Sequence, residues 1–251
     1  MDAIVAFHSI DDSGSVLSYA PHDLEVLLDR LLEQGVAIVP LAELVTPRPA
    51  AAHRVALTFD DGMKSVRTAA LPLLAKRKLP FTVFVVSEWV GRDNRWPSQP
   101  AAIGRFELMD WAELAELIAA GGSIGGHTAN HVHLRALDAA TATHELTDSK
   151  ARLQERLGIA VDHFAYPYGT FDAASVEQVR RDYSAAVTTR LAYLPAAIAR
   201  DPFRLPRLDS WYLRAPADRA PLFSGSTRAW IGWRALLRSV KGAAQGAGYG
   251  G

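Results

Sequence analysis

The sequence predicts an α/β fold, a (β/α) barrel of about seven parallel strands in a single domain. Short apolar runs alternate with helix-length segments along the chain, which is the pattern of successive βαβ units and so of a parallel sheet. About seven such units in one domain favour a closed barrel over an open sheet, because a barrel gathers its ligands at one mouth. The length of 251 residues, 49% hydrophobic and 22% charged, supplies ample apolar material for one core.

The elements follow in order. Ile4–Phe7 reads as a buried strand, and Asp23–Gln34 as a helix with Leu24, Leu27, Leu28, Leu31 and Leu32 on its apolar side, stopped by Gly35. Val36–Val39 and Arg54–Phe59 are the next strands, the latter leading into a helical stretch from Met63 to Lys78. Phe81–Val86 is dense in β-branched and aromatic residues, as strands are. Asp110–Ala120 is a helix closed by Gly121-Gly122. The short strand Ser123–Gly126 follows, and Asp138 is placed to cap a long helix ending at Gly158. His163–Tyr166, Ala185–Thr188 and Arg204–Leu208 are strands, with a helix over Ala173–Arg181 between the first two.

Composition excludes several functions. The 27 Lys+Arg balance 27 Asp+Glu, unlike the strongly basic domains that bind nucleic acid. There is no cysteine, which rules out disulfides, zinc ribbons, iron–sulfur ligation and thiol catalysis. Any metal site must therefore draw on His, Asp or Glu. The start Met1-Asp2-Ala3-Ile4-Val5-Ala6 lacks the basic residues and long apolar run of a secretory leader, and no stretch approaches the ~20 apolar residues of a membrane span. A soluble, cytoplasmic protein is the expectation.

Two motifs carry chemistry. Thr58-Phe59-Asp60-Asp61-Gly62 puts two carboxylates at the carboxyl end of a strand, before a Gly that permits a tight turn. Alone, such a pair more often caps a helix beside a solvated neighbour. Adjacent carboxylates do not flank a glycosidic bond at the ~5 Å or more that glycosidases need, so a metal-centred role suits them better, one as ligand and one as base. His127-Thr128-Ala129-Asn130-His131 also follows a strand, and a spacing of four puts both imidazoles on one face of a helical turn. With Asp61 they complete a His/His/carboxylate set that leaves a position open for water or substrate, as catalytic zinc sites do. Phe164-Ala165-Tyr166-Pro167-Tyr168-Gly169 lies at a third strand end and by itself reads as a Pro-Gly turn.

Together these residues, with Leu71-Pro72-Leu73-Leu74, Phe81–Val85, Trp111, Gly121–Thr128 and Leu134, resemble the polysaccharide deacetylase family, carbohydrate esterase family 4 or the NodB homology domain, over roughly Ile4 to Trp211. The resemblance implies a distorted (β/α) barrel and metal-dependent removal of acetyl groups from amino sugars. It implies Asp61, His127 and His131 as metal ligands, Asp60 as the general base, and the backbone N–H of Tyr168 as an oxyanion donor. Zinc fits such ligands, and cobalt or nickel would accept them. Two departures stand out. Ala165 occupies the place of the family's base-orienting Arg, for which Arg204 and Arg207 are the candidates, Arg207 preferred with Asp209 as its carboxylate partner. No His follows His163 to serve as the usual catalytic acid. Phe7-His8-Ser9 resembles the Tyr-His element of circularly permuted members, including the deacetylases of poly-N-acetylglucosamine systems, in which the closing strand comes first; His8 would then protonate the leaving amine.

The expected function is a metal-dependent hydrolase removing N-acetyl groups from amino sugars of a polysaccharide or its lipid-linked precursor. An O-acetyl ester, a formamido sugar or a small amino-sugar metabolite is the alternative substrate, and an inactive glycan-binding barrel the alternative class. Tyr166 and Trp211 are candidates to line a sugar site or simply to pack, and the long segment Trp89–Phe106 to shape it. His133 and His144 read as surface or supporting residues, and His22 and His53 as lying in polar loops. Residues 1–224 form the barrel domain, and 225–251 a basic amphipathic helix followed by a flexible Gly/Ala-rich tail. Residues 228–241 carry four cations and no acid, with Trp230, Trp233, Leu237 and Val240 at helical spacing. They offer either peripheral membrane contact or a helix docked on the barrel with its basic side in water.

Overall fold

The computed structural model describes residues 1–45, 52–135, 137–196, 201–214 and 220–244, the last segment with side chains to residue 240. The expected flexible tail, from residue 245 onward, lies outside the described residues. Ten strands appear: β1 (Asp2–Phe7), β2 (Ser9–Ile10), β3 (Ser18–Tyr19), β4 (Ala37–Ile38), β5 (Arg54–Phe59), β6 (Phe81–Val85), β7 (Gly122–Gly126), β8 (His163–Ala165), β9 (Ala185–Leu191) and β10 (Leu205–Asp209). Strands β5 to β10 run in chain order, and β1 pairs with β10 on one edge and with β5 on the other. This closes a ring of seven parallel strands, the distorted (β/α) barrel, whose first strand is its closing strand. β4 is an eighth strand outside the ring, and Ala37 and Ile38 pair with the start of β5 before β6 takes over that edge at Thr58.

The helices are α1 (Pro21–Glu33), α2 (Leu41–Val45), α3 (Leu71–Lys76), α4 (Trp111–Ala119), α5 (Ala139–Thr143), α6 (Ser149–Leu157), α7 (Ala173–Asp182) and α8 (Gly225–Ala244). Local chemistry sets their ends. Asp110 and Asp172 close reciprocal capping boxes with Glu113 and Ser175, and Gly158 ends α6 with φ +66°. The long helix capped by Asp138 is α5 and α6 joined through a π turn at His144–Asp148. A second π turn, Val66–Ala70, interrupts the helical stretch expected over Met63–Lys78.

Two layers of core follow from strand alternation, since side chains point to opposite faces at successive positions. Val5, Phe7, Val55, Leu57, Phe59, Val83 and Val85 face the helices. Ile4, Ala56, Phe84, Ala165, Ala185, Val187 and Leu205 form a separate cluster that fills the barrel interior. The interior parity, continued toward the carboxyl ends, gives Ile4, Ala6 and His8; Ala56, Thr58 and Asp60; and Leu205 and Arg207. The fold therefore delivers His8, Asp60 and Arg207 to the inside of one mouth. In β7, Gly125 leaves room for a neighbour: a Cβ there would sit 2.4 Å from the Phe84 ring and 2.9 Å from the His163 carbonyl.

The last helix departs from expectation. α8 docks through Ile231, which joins the main core, and turns Arg238 inward toward Asp209 of β10, 3.7 Å away. Its apolar side chains Trp233, Leu236, Leu237 and Val240 face outward. The helix is docked on the barrel as one reading had it, but its outward side is apolar and not solely basic: Arg228 is exposed while Arg238 turns to the barrel.

Candidate active site

The mouth at the carboxyl ends of the strands holds a cleft of about 210 Å³ whose lining includes His8, Asp60, Asp61, His127, His131 and Tyr168. Leu17, Tyr166, Thr189 and residues of the segment 99–103 complete its wall. Three of the five non-glycine residues with positive φ among the described residues line it, Asp61 (71°), His131 (55°) and Tyr168 (57°), and a fourth, Thr128 (63°), directly follows the lining His127. Such conformations cost about 1–3 kcal/mol each and persist where surrounding structure imposes them, commonly at working sites.

These angles correct one reading. Residues 127–131 are not a helical turn; the chain reverses there through the left-handed Thr128 and His131. The imidazoles nevertheless converge. Nε2 of His127 lies 3.3 Å, and Nε2 of His131 3.2 Å, from the same Oδ1 of Asp61. The loop is held by Glu145 of the π turn, which accepts from the Ala129 and Asn130 N–H groups and from the Asn130 amide, each at 2.9 Å.

Asp61, His127 and His131 form a cluster of potential ligand atoms all within 4.8 Å of one another, and all three are buried. Its chemistry fits a cation. His127 Nδ1 is 2.7 Å from the Ala165 carbonyl, which can only accept, so Nδ1 carries the proton. In the neutral ring Nε2 is then a bare lone pair facing a carboxylate oxygen that has no hydrogen-bond partner. Two acceptors that close are satisfied by a cation between them, and a ligand His held through its other nitrogen by a carbonyl is usual at metal sites. Burial pushes His131 toward its neutral form, against the pull of Asp61. Burial opposes ionisation of Asp61, but His131 and His127 more than offset it and hold the carboxyl well below its ordinary range. Neutral imidazoles and an ionised carboxylate are the forms that bind metal.

Asp60 is 3% exposed and faces Arg207, itself 2% exposed. The guanidinium donates to both carboxylate oxygens, at 2.7 and 2.6 Å, and also to the Thr188 carbonyl and Thr58 Oγ1. Burial pushes the Asp60 carboxyl up, yet Arg207 outweighs it and His127 and His8 add to the pull, so its pKa lies below the ordinary value. His8 Nε2 stands 3.9 Å from Asp60 Oδ2, with about a third of its side chain exposed to the cleft. The partner expected for Arg207, Asp209, is instead engaged with the Trp211 N–H and Arg238. Arg204 lies over the Phe171 ring, away from Asp60.

Tyr168 packs edge-on against His131 and stacks on His133, while its hydroxyl meets Ser98 and the Trp96 indole N–H. Tyr166 lines the cleft but is wholly buried, and burial pushes its hydroxyl up. Trp211 is 40% exposed under the Arg214 guanidinium, outside the cleft lining. His144 pairs with Asp148 on the surface and His53 stacks on Phe223, and neither lines the cleft.

The family model for polysaccharide deacetylases matches residues 48–185, more than half of the chain. The chain belongs to the polysaccharide deacetylase family. Among solved structures it is similar to IcaB from Ammonifex degensii, with 25% identity, TM-score 0.72, and coverage of 92% of this chain and 96% of that one. The deacetylase PplD of Streptococcus pyogenes shares the fold at 22% identity and TM-score 0.70, over 94% of this chain and 96% of its own. A chitin deacetylase of Pestalotiopsis sp. is 26% identical over 146 residues, 58% of this chain and 44% of that protein. The chain spans between 42% and 66% of the length of the curated relatives it matches.

Within this member of the family, sequence reasoning passed over three residues. Trp96 stacks on the His131 ring at 4.3 Å, Ser98 donates to the His131 carbonyl at 2.6 Å, and Glu145 anchors the loop between the two histidines. The long segment 89–106 signalled the first two only as a group. A carboxylate buried in a helix, as Glu145 is, required a partner that the sequence did not identify.

Proposed function

We propose that this deacetylase is a metal-dependent hydrolase that removes N-acetyl groups from amino sugars of a polysaccharide or its lipid-linked precursor. The observation that carries the reading is the juxtaposition of the Asp61–His127–His131 cluster with an ionised carboxylate, Asp60, clamped by Arg207. In this reading residues 1–224 are the catalytic barrel and 225–251 an appended basic helix and tail.

Asp61, His127 and His131 would hold a divalent metal, zinc suiting the ligand set and cobalt or nickel compatible with it. When bound, the metal supplies Lewis acidity, polarising the acetamide carbonyl and acidifying water. The chain does the rest. Asp60 takes a proton from the attacking water while the Arg207 fork keeps both its oxygens in place. The water oxygen bonds to the acetyl carbon, and the backbone N–H of Tyr168 donates to the oxygen that becomes negative, a contribution of about 3 kcal/mol for one well-placed donor. His8, across the cleft from the metal ligands, gives its proton to the sugar nitrogen as the carbon–nitrogen bond breaks. Acetic acid, which ionises to acetate, and a free amine leave; Asp60 gives its proton to solvent and His8 takes one up, which resets the site. No helix among the described residues is long and apolar enough to cross a membrane.

The test is acetate release from N-acetylglucosamine oligomers by the zinc-loaded protein, with Asp60→Asn alongside. Release that the variant lacks supports the reading. Release only from O-acetyl esters or formamido sugars moves the substrate, and glycan binding without metal uptake replaces the enzyme by a binding barrel.

A further inference from the structure

Helix α8 wears its apolar side outward. Of the nine large apolar side chains most exposed among the described residues, five lie within the 11 positions from Trp230 to Val240. Trp233 is 50% exposed, Leu236 62%, Leu237 43% and Val240 61%; only Ile231, on the opposite side of the helix, is buried. At 100° per residue these four span one arc of about a third of the circumference, and the docked side lies across from it. Exposed apolar residues scattered singly are ordinary, but a contiguous stripe of this kind marks a surface that is covered in use.

Charge says what covers it. The helix holds Arg228, Arg234, Arg238 and Lys241 and no acidic residue, while the remainder of the chain has 27 acids against 23 bases. Arg234 lies between the Tyr212, Trp230 and Trp233 rings, with its Nε unpartnered, and Arg238 is tied to Asp209. Arg234 thus borders the apolar arc and Arg228 is exposed to solvent, while Arg238 belongs to the docked side. Trp at the margin of an aliphatic stripe with cations beside it matches the boundary between acyl chains and anionic headgroups. A second copy of the same helix would set like charges against like. We propose that α8 is a docking surface for an anionic lipid bilayer, lying in the interface and not crossing it.

The docked side of the helix meets the end of β10. The Arg238–Asp209 pair ties the docked side of α8 to the end of β10, two residues before the exposed Trp211, and Arg214 over Trp211 donates to the Ser15 carbonyl beside the exposed Val16. The inference is independent of the reaction proposed for the cleft.

Cosedimentation of the full chain with vesicles of phosphatidylcholine alone, and of phosphatidylcholine mixed equally with phosphatidylglycerol, tests it. Binding to the mixed vesicles, a blue shift of Trp emission, and a loss of about tenfold or more in binding at about 1 M salt are expected. The double variant Trp233→Glu, Leu237→Glu should abolish binding while leaving its circular dichroism and any acetate release from soluble oligomers unchanged, since neither side chain is buried. Failure to bind the mixed vesicles overturns the proposal, as does equal binding to both compositions. A dimer in solution that the double variant dissolves also overturns it, assigning the stripe to a second copy.

Discussion

Arg207 and Asp60, 147 positions apart in sequence, meet inside the barrel through two parallel N–H···O hydrogen bonds of 2.7 and 2.6 Å. β1 lies between their strands in the ring, and its small inward residue Ala6 stands between the level of Arg207 and that of Asp60, which leaves the guanidinium space to pass. This is the fork-to-carboxylate geometry that only Arg provides.

Arg207→Met should lower kcat/KM for deacetylation by about a hundredfold or more, because it frees the base from its geometry. It should also destabilise the fold by about 3–5 kcal/mol, since it strands a buried carboxylate. Adding Asp60→Asn to Arg207→Met should restore much of the stability in a denaturant titration and none of the activity. Arg204→Met should leave both near the parent.

Glu145→Gln keeps the shape of the side chain and removes the charge that holds the Ala129 and Asn130 N–H groups. Metal affinity measured by competition with a chelator should weaken about 10–100-fold, the usual effect of loosening the support of a ligand loop. An unchanged affinity would show that the left-handed turn of Thr128 and His131 holds the loop unaided.

His8→Ala should cost about 10²–10⁴-fold in kcat on an N-acetyl substrate, where the amine must be protonated to leave. On an activated aryl acetate, whose leaving group needs no proton, the same variant should stay within a few-fold of the parent. Equal losses on both substrates would assign His8 to holding Asp60 in place.

Far from the mouth, Arg54 at the start of β5 donates to both oxygens of Asp2 at the start of β1, at 3.0 and 2.7 Å, and both residues are buried. Arg54→Ala should destabilise by about 3–5 kcal/mol in a denaturant titration, for the same reason of a stranded charge. Its kcat at moderate temperature should match the parent.

Much of this was legible because it is local. Asp60, Asp61, His127 and His131 sit directly past strand ends, where turn chemistry and the barrel's polarity place them at one mouth. Arg207 was legible as an inward residue of its strand, but its partner was not. Asp209 shares its parity, yet β10 ends there and its carboxylate turns to the Trp211 N–H. Asp60 belongs to a strand that is not its neighbour. The four-residue spacing of the histidines suited a helix, whereas a carboxylate 15 residues downstream and two left-handed residues shape the loop instead. Helical periodicity picked out the stripe of α8 without its orientation, because the docking of a helix depends on what the barrel offers it, here Asp209 and the pocket around Ile231.

A ring closed by its first strand has a consequence in time. β1 must wait for β10, about 200 residues later, before its second edge is paired, and closing so long a loop carries a large entropic cost and slows folding. A nascent chain that has passed residue 191 already contains every residue of the His/His/Asp cluster, yet Asp60 has no guanidinium and His8 stands at the end of a half-paired strand. Competence for chemistry thus arrives with the final pairing, and appearance of catalytic turnover during refolding reports closure of the ring more directly than any measure of secondary structure.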